Sequence, residues 1–538
     1  MRIIDRSRVT TLVLFALLVV AGWHYAAPVD KVLDIGFADE TLYLREGLKL
    51  SWHGLHTMRA PLYALWYRGL ALFVHDPMAL YDLNLRLQII LLPLSLFLAL
   101  VWAGLSPAAA FVMAWAWLLS DANLEPWPRV SAFAWILLLA GIGWQRRFPE
   151  DWKGWAGLLI LTGLSMYARP EMMLAFALLI AFAVWHRRRH KADLHKVVAG
   201  VLLFGLLAGI LFGSPNEKNR LFEAFGQHFA FRWQKEYLPN GTPWNHWRTA
   251  VDKAFGPDVH TVAGLFRTNP QKVLAHIHAN AVDAVSRWGK LLFSHTPYIL
   301  KHHSFWEGIL WALLFAGLAG WQAWRKRQQK DFWKGYSHLL LVEAALALPI
   351  VGSVLFIYPR LHYLLGLTLL VWFAWAVLVF APPTRPAPAP LPSRRRFWEV
   401  IAVAALLTAT TPPATEHFGY QPILGVRESL RTLRVLQRAG VKMIGVPQEW
   451  DGDVEVYLPG LKHIPVAPAT FSPQVFPKMD AAVFSDGQQW LNDDACRKRL
   501  IAWAQEGWEP LCSTRNFYVI LTRIFPPPGS VPMHLCFK

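Results

Sequence analysis

The sequence predicts a polytopic α-helical membrane protein of about eleven spans that carries a small C-terminal α/β domain outside the cytoplasm. Three observations lead there. The 538 residues are 54% hydrophobic and only 17% charged, too apolar for an ordinary soluble enzyme and too long for one span. The basic residues collect in short clusters between apolar runs, and hydropathy falls beyond about residue 412.

A span needs about 20 mostly apolar residues. Such stretches fall near 9–27, 80–104, 106–121, 129–145, 154–167, 171–185, 197–213, 303–324, 337–357, 361–381 and 397–411. The first follows a basic start (Arg2, Arg6, Arg8) and reads as an uncleaved anchor, because the small-residue site near Ala26-Ala27 is weak for a signal peptidase. With the N-terminus inside, the alternation puts Arg146-Arg147, Arg187-Arg188-Arg189, Arg325-Lys326-Arg327 and Arg394-Arg395-Arg396 on the cytoplasmic side. That is the positive-inside pattern, and it accounts for the formal charge of +17 without a nucleic-acid partner. The expected location is the bacterial inner membrane, multi-pass, with the C-terminal domain in the periplasm.

The same parity exports the segment 28–79, the turn from Asp121 to Arg129, the turn Tyr167–Glu171, the loop 214–302, the turn Tyr358–Tyr363 and the C-terminus. The stretch 60–74 is shorter than a span and contains Arg68, so it reads as a helix lying in the interface. The run APPTRPAPAPLPSRRR is a proline-rich spacer. Beyond it VKMIGVP, DAAVFSD and FYVILTR read as short strands, and RESLRTLRVLQRAG as a helix. The domain boundaries expected are 1–411, a catalytic transmembrane domain including the exported loops 28–79 and 214–302, and 412–538. No glycine-rich phosphate loop is visible. The three cysteines, Cys496, Cys512 and Cys536, fit no zinc spacing; they read as small buried residues or as one disulfide with a thiol left over.

Chemistry concentrates in the exported loops. Asp39 and Glu40 are adjacent carboxylates in FADETLYL; one could take a proton from a hydroxyl while the other orients it or binds a cation. Asp39 could equally be a helix N-cap. In the turn Tyr167-Ala168-Arg169-Pro170-Glu171, Arg169 suits a phosphate, while Pro170 and Glu171 also suit a plain helix start. In YPRLHYL, Arg360 and His362 either bind substrate or reach for the interface beside Tyr358 and Tyr363. The loop 214–302 mixes Phe229, Phe231, Arg232, Trp233, Lys235 and Trp247 in stretches suited to lipid headgroups. Arg59, Asp121 and Glu125 are candidates by location alone.

An acid pair in the first exported loop, a PLYALWY interfacial segment, a YARPE turn and a late RLHY turn resemble the GT-C superfamily of integral-membrane glycosyltransferases. Within it the chain looks like the branch of protein O-mannosyltransferases and aminoarabinose-lipid A transferases. The resemblance covers about residues 1–380. It implies an inverting transfer of a sugar from a polyprenyl-phosphate donor to an envelope acceptor: lipid, glycan or protein. Asp39 would be the general base and Glu40 its helper or a metal ligand. Arg59, Arg169, Glu171, Arg360 and His362 would serve the donor phosphate and substrate. A divalent metal occurs in some members only, and no carboxylate cage is visible here, so metal dependence stays open. The competing reading is a transporter or flippase of a lipid-linked substrate, for which Glu343 is the main acid inside a span. A non-catalytic scaffold whose C-terminal domain binds an exported partner is the third. The sugar, the acceptor and the oligomeric state are not legible in the sequence.

Overall fold

The computed structural model describes residues 6–37, 39–124, 129–190, 194–215, 220–239, 243–293, 305–382, 394–418, 425–447, 453–466, 479–485, 509–514 and 518–522. The chain forms two compact units. One contains residues 1–24, 51–63 and 87–411, and the other contains 25–50, 64–86 and 412–538. A break therefore falls where hydropathy drops. The second unit also takes most of the first exported segment, which the sequence reading had assigned to the membrane domain.

The first unit is helical, because its apolar runs leave the backbone no other way to satisfy its donors and acceptors. Each of the eleven apolar stretches falls on a helix: Arg6–Ala26, Pro77–Trp102, Pro107–Leu118, Val130–Arg147, Trp152–Ser165, Met172–His190, Leu194–Phe212, Phe305–Arg325, Lys330–Phe356, Leu361–Phe380 and Arg394–Ala409. Among the described residues, five segments are long and apolar enough to cross a membrane: Arg8–Lys31, Pro77–Trp102, His195–Phe212, Lys330–Phe356 and Leu361–Phe380. The chain is thus a helical membrane protein, but length and composition alone do not reach the expected eleven spans. Pro107–Leu118 has 12 residues and Trp152–Ser165 has 14. They rise only about 18 and 21 Å against a hydrocarbon core of about 30 Å. Met172–His190 ends in the basic run Arg187-Arg188-Arg189.

Close helix approach rests on glycines. A methyl group on Gly366 would lie 2.3 Å from the Trp135 ring, and one on Gly143 would lie 2.8 Å from the Ala99 backbone. Lys330–Phe356 packs on Met172–His190, Leu361–Phe380 and Pro270–Phe293. That last helix belongs to the segment 214–302, which folds as Arg220–Arg232, Gln234–Tyr237, Pro243–Phe255, Val262–Thr268 and Pro270–Phe293. The segment has its own core of Phe222, Phe225, Phe229, Val251, Phe255, Val259, Leu265 and Val273. Phe229, expected to meet lipid headgroups, is fully buried in that core, whereas Phe231 is exposed.

The second unit contains the helix Asp39–Leu48, most of the helix Pro61–Ala71 and the C-terminal residues. Pro61–Ala71 has 11 residues, too few to cross a bilayer, and Arg68 on it is exposed. Gly47 lets the two helices touch: a methyl there would stand 2.6 Å from Tyr67 Cβ. The C-terminal sheet has the order β2-β1-β3-β5-β4, with β1 (Met443–Pro447), β2 (Lys462–Val466), β3 (Ala481–Ser485), β4 (Glu509–Thr514) and β5 (Tyr518–Thr522). β1 runs parallel to β2 and β3, while β5 pairs antiparallel with β3 and β4. The amphipathic helix Gly425–Arg438 buries Leu430, Leu433 and Leu436 and lies against β4 and β5. Cys496 and Cys536 lie outside the described residues; Cys512 is on β4.

Candidate functional site

In the second unit the acid pair separates by burial. Asp39 and Glu40 open a helix, so their side chains diverge by about 100°. Asp39 is half-buried. Glu40 is fully buried. Tyr67 Oη donates to Glu40 Oε1 at 2.6 Å, and Asn84 Nδ2 donates to the same oxygen at 3.1 Å and to Tyr67 Oη at 2.8 Å. Trp66 Nε1 in turn donates to Asn84 Oδ1 at 2.8 Å. A buried carboxylate held this way anchors the start of its helix and fixes where Asp39 stands. The next residue is fixed too: Thr41 Oγ1 lies 2.9 Å from Tyr457 Oη. Burial, then the neighbouring Tyr81 and Glu40, push the Tyr457 phenol well above its ordinary range, so it stays neutral.

The helix Gly425–Arg438, after residue 412, is joined to Asp82 by a buried ion pair and to the Leu33-Asp34 segment by hydrogen bonds. Arg427, with no exposed side-chain surface, donates to Asp82 Oδ2 at 2.8 Å and to the Leu33 carbonyl at 3.1 Å. Asp34 accepts the backbone N–H groups of Val426 and Arg427 at 2.9 and 2.8 Å, at the first turn of Gly425–Arg438. Burial raises the Asp34 carboxyl, and those N–H groups and Arg427 oppose the rise.

In the first unit the turns Tyr167–Glu171 and Tyr358–Tyr363 converge. Arg169 Nε donates to Glu171 Oε1 at 2.7 Å and its Nη2 contacts the same oxygen, while the guanidinium lies 4.6 Å from the Tyr363 ring centre. Arg169, Glu171, His362 and Tyr363 line one cleft with Ser131, Trp135 and Ile350. Its volume of about 10 Å³ holds roughly one water. Glu171 therefore sits as the partner of Arg169. His362 is buried, its ring centre 4.3 Å from that of Tyr363.

A second cluster surrounds Tyr358. Arg232 and Arg287 lie over its ring at 5.2 and 5.0 Å, Arg287 Nη2 donates to its hydroxyl at 2.9 Å, and His228 stacks on it at 5.7 Å. Arg360 lies 5.3 Å from the Trp244 ring centre, and Trp244 contacts His228 and Phe231. Asp283 is the acid paired within this group, 2.6 Å from Arg232. Arg232 is paired with Asp283, and the guanidinium groups of Arg287 and Arg360 stand with it among large aromatic faces. His228 donates through Nδ1 to the Ala224 carbonyl at 2.8 Å, which makes its buried Nε2, without a hydrogen-bond partner among the described residues, an acceptor. Burial and the Arg360 guanidinium lower the His228 imidazole to about 3. Below this, His276 Nε2 donates to the Ile357 carbonyl at 3.1 Å; burial lowers that ring to about 4.

The structure thus brings Arg169, Glu171 and His362 together, sets Arg360 beside Trp244 and His228, and places Arg232 and Arg287 on Tyr358, two residues before Arg360. The segment's aromatic and basic composition points to Arg232 only as lipid-adhesive surface, and Arg287 and His228 carry no sequence signal of their own. Asp39 and Glu40 belong to the other unit. Arg59 is exposed, and its carbonyl accepts Arg220 Nη1 at 3.0 Å. Asp121 begins a short helix, Asp121–Leu124, and Glu125 lies outside the described residues. Among the described residues no group of three or more His, Cys, Asp or Glu side chains is placed to hold a metal ion. No family model matches the chain, and no curated protein matches it.

Proposed function

We propose that the chain is a GT-C type inverting glycosyltransferase of about eleven spans, working on the exported face of a bacterial inner membrane. It moves a sugar from a polyprenyl-phosphate donor to an envelope acceptor. The observation that carries this reading is the cationic cluster of Arg232, Arg287 and Arg360 on the aromatic faces of Tyr358 and Trp244. The helices Pro107–Leu118 and Trp152–Ser165, short for a span, are accommodated by packing among neighbours.

In the proposed reaction an acceptor hydroxyl oxygen attacks the anomeric carbon as the bond from that carbon to the phosphate oxygen breaks. The hydroxyl proton passes to Asp39, and the prenyl phosphate leaves with the bonding electrons. The departing phosphate carries the developing negative charge, which guanidinium groups stabilise more than they stabilise the intact donor. Glu40 holds the Asp39 helix in place through Tyr67 and Asn84. In the first unit Arg169 with Glu171, and His362, shape a cleft of their own; Arg59, exposed, meets the substrate at the surface.

Purified protein given a prenyl-phosphate hexose and an acceptor extract should release prenyl phosphate. Arg360→Gln should lower kcat/KM about 10- to 100-fold, the range for losing one charged transition-state contact. Full turnover in Arg360→Gln and Arg287→Gln would remove the proposed donor site. A transporter remains the second reading, favoured by Glu343: this carboxyl is buried inside the Lys330–Phe356 helix, and its Oε1 has no hydrogen-bond partner among the described residues. Movement of the lipid-linked sugar across liposomes with no chemical change would select it.

A further inference from the structure

The first unit contains a second, larger cavity at the other end of the same bundle. Lys330–Phe356 lines it with its first turns, from Asp331 to His338, and ends at Phe356 beside the Tyr358 cluster; twenty helical residues separate Tyr336 from Phe356 by about 30 Å. The cavity opens where Pro77–Trp102, Val130–Arg147 and Leu361–Phe380 end and Lys330–Phe356 begins. Its volume is about 440 Å³, inside the range of about 300–1,000 Å³ usual for small-ligand sites.

The lining is amphoteric and layered. Gln145 and Tyr336 are buried in its wall, and Arg146 and His338 are half-buried. Arg146 Nη1 donates to the Gly335 carbonyl at 3.1 Å, and the His338 ring stands perpendicular to that of His186 at 4.8 Å, so both are held in place. Glu150, Asp331 and Lys334 are exposed at the rim. A purely anionic guest would face two carboxylates, and a purely cationic one would face Arg146 and Lys334. A dipolar guest with an anion inward and a hydrogen-bonding cation outward satisfies both layers.

The depth of this end in the membrane is marked by tryptophan. Trp102, on the cavity wall, meets Trp144 edge-on at 6.1 Å, and Trp144 is exposed. Trp321 and Trp324 are also exposed, with Arg325 and Arg327 at 4.9 and 4.6 Å over their rings. Exposed indoles beside arginines are the signature of the headgroup level of a bilayer. From these observations we propose that the cavity is a binding site for a phospholipid with a primary-amine headgroup. Its phosphate meets Arg146, Tyr336 and His338, and its ammonium meets Glu150 and Asp331. A choline headgroup has no N–H to donate to those carboxylates, and a glycerol headgroup has no cation.

Native mass spectrometry of the full chain tests this with phosphatidylethanolamine, phosphatidylcholine and phosphatidylglycerol of identical acyl chains, and with soluble phosphoethanolamine. One ethanolamine lipid should be retained with about tenfold preference over the other two, a difference of about 1.4 kcal/mol. The double variant Glu150→Gln/Asp331→Asn, at exposed positions that do not threaten folding, should reduce that preference to about twofold. Arg146→Gln should weaken all three lipids. Equal retention of the three lipids, or a preference that survives the double variant, would overturn the proposal. Soluble phosphoethanolamine binding as tightly as the lipid would overturn the lipid as source.

Discussion

At the scale of single residues, the most consequential geometry is a carboxylate that the sequence presents as a catalytic helper and the structure uses as an anchor. Glu40 takes hydrogen bonds from Tyr67 and Asn84, 27 and 44 residues away, and no local pattern announces partners at that distance. Tyr67→Phe should lower stability by about 1.5–3 kcal/mol, the usual loss for a buried hydrogen bond to a charged group, read as a fall in melting temperature. The helix over TLYLREGL, by contrast, was legible, but its start was not: the sequence offers Asp39 as the N-cap, and the helix already includes Asp39 and Glu40 in its first turn. His276 and His228 give a pH signature. Their folded values, about 4 and about 3, lie below 6.5, so the unfolded chain takes up protons first. The stability they contribute as neutral rings is complete above about pH 6.5 and is lost as pH falls towards 4. For His276 the loss approaches roughly 3 kcal/mol. Melting curves from pH 7 to 4.5 should show this decline, and His276→Gln should flatten part of it. A melting temperature unchanged over that range would contradict the burial of both rings.

At the scale of elements, hydropathy was enough to place a helix at every apolar stretch, because a backbone in an apolar run has one economical way to pair its N–H and C=O groups. Counting spans from those stretches was less secure, since Pro107–Leu118 and Trp152–Ser165 are too short to cross by length. VKMIGVP, DAAVFSD and FYVILTR became β1, β3 and β5; β2 and β4 escaped notice because Lys462, His463 and Pro465, and Glu509 and Pro510, interrupt any apolar alternation. The segment 214–302 was misread for a related reason: Phe225, Phe229 and Phe255 pack on one another, and aromatic content alone does not separate a small helical core from a lipid-facing surface. Packing of the Leu361–Phe380 helix depends on Gly366. Gly366→Leu places side-chain atoms inside the Trp135 ring and should cost about 1–3 kcal/mol or more, measured as loss of the folded fraction in detergent.

At the scale of the whole molecule, the division into two units changes what a truncation means. A chain cut after residue 411 reads, from sequence, as an enzyme without its accessory domain. The structure places residues 25–50 and 64–86 in the same unit as residues 412–538: Arg427 pairs with Asp82 and donates to the Leu33 carbonyl, and Asp34 accepts from the first turn of Gly425–Arg438. The truncated chain should therefore lose protection of the 25–50 segment against protease. Arg427→Met, which leaves Asp82 buried without its partner, should cost about 3–5 kcal/mol in the same assay. Long-range ties of this kind join positions some 350 to 390 residues apart, beyond the reach of periodicity or motif spacing. The central claim, that Asp39 accepts a proton during glycosyl transfer, is tested most directly by single-turnover transfer from a prenyl-phosphate sugar with Asp39→Asn. That substitution keeps shape and removes the base. The account predicts a folded protein that binds donor and transfers at least about 100-fold more slowly; transfer at the parental rate would contradict it.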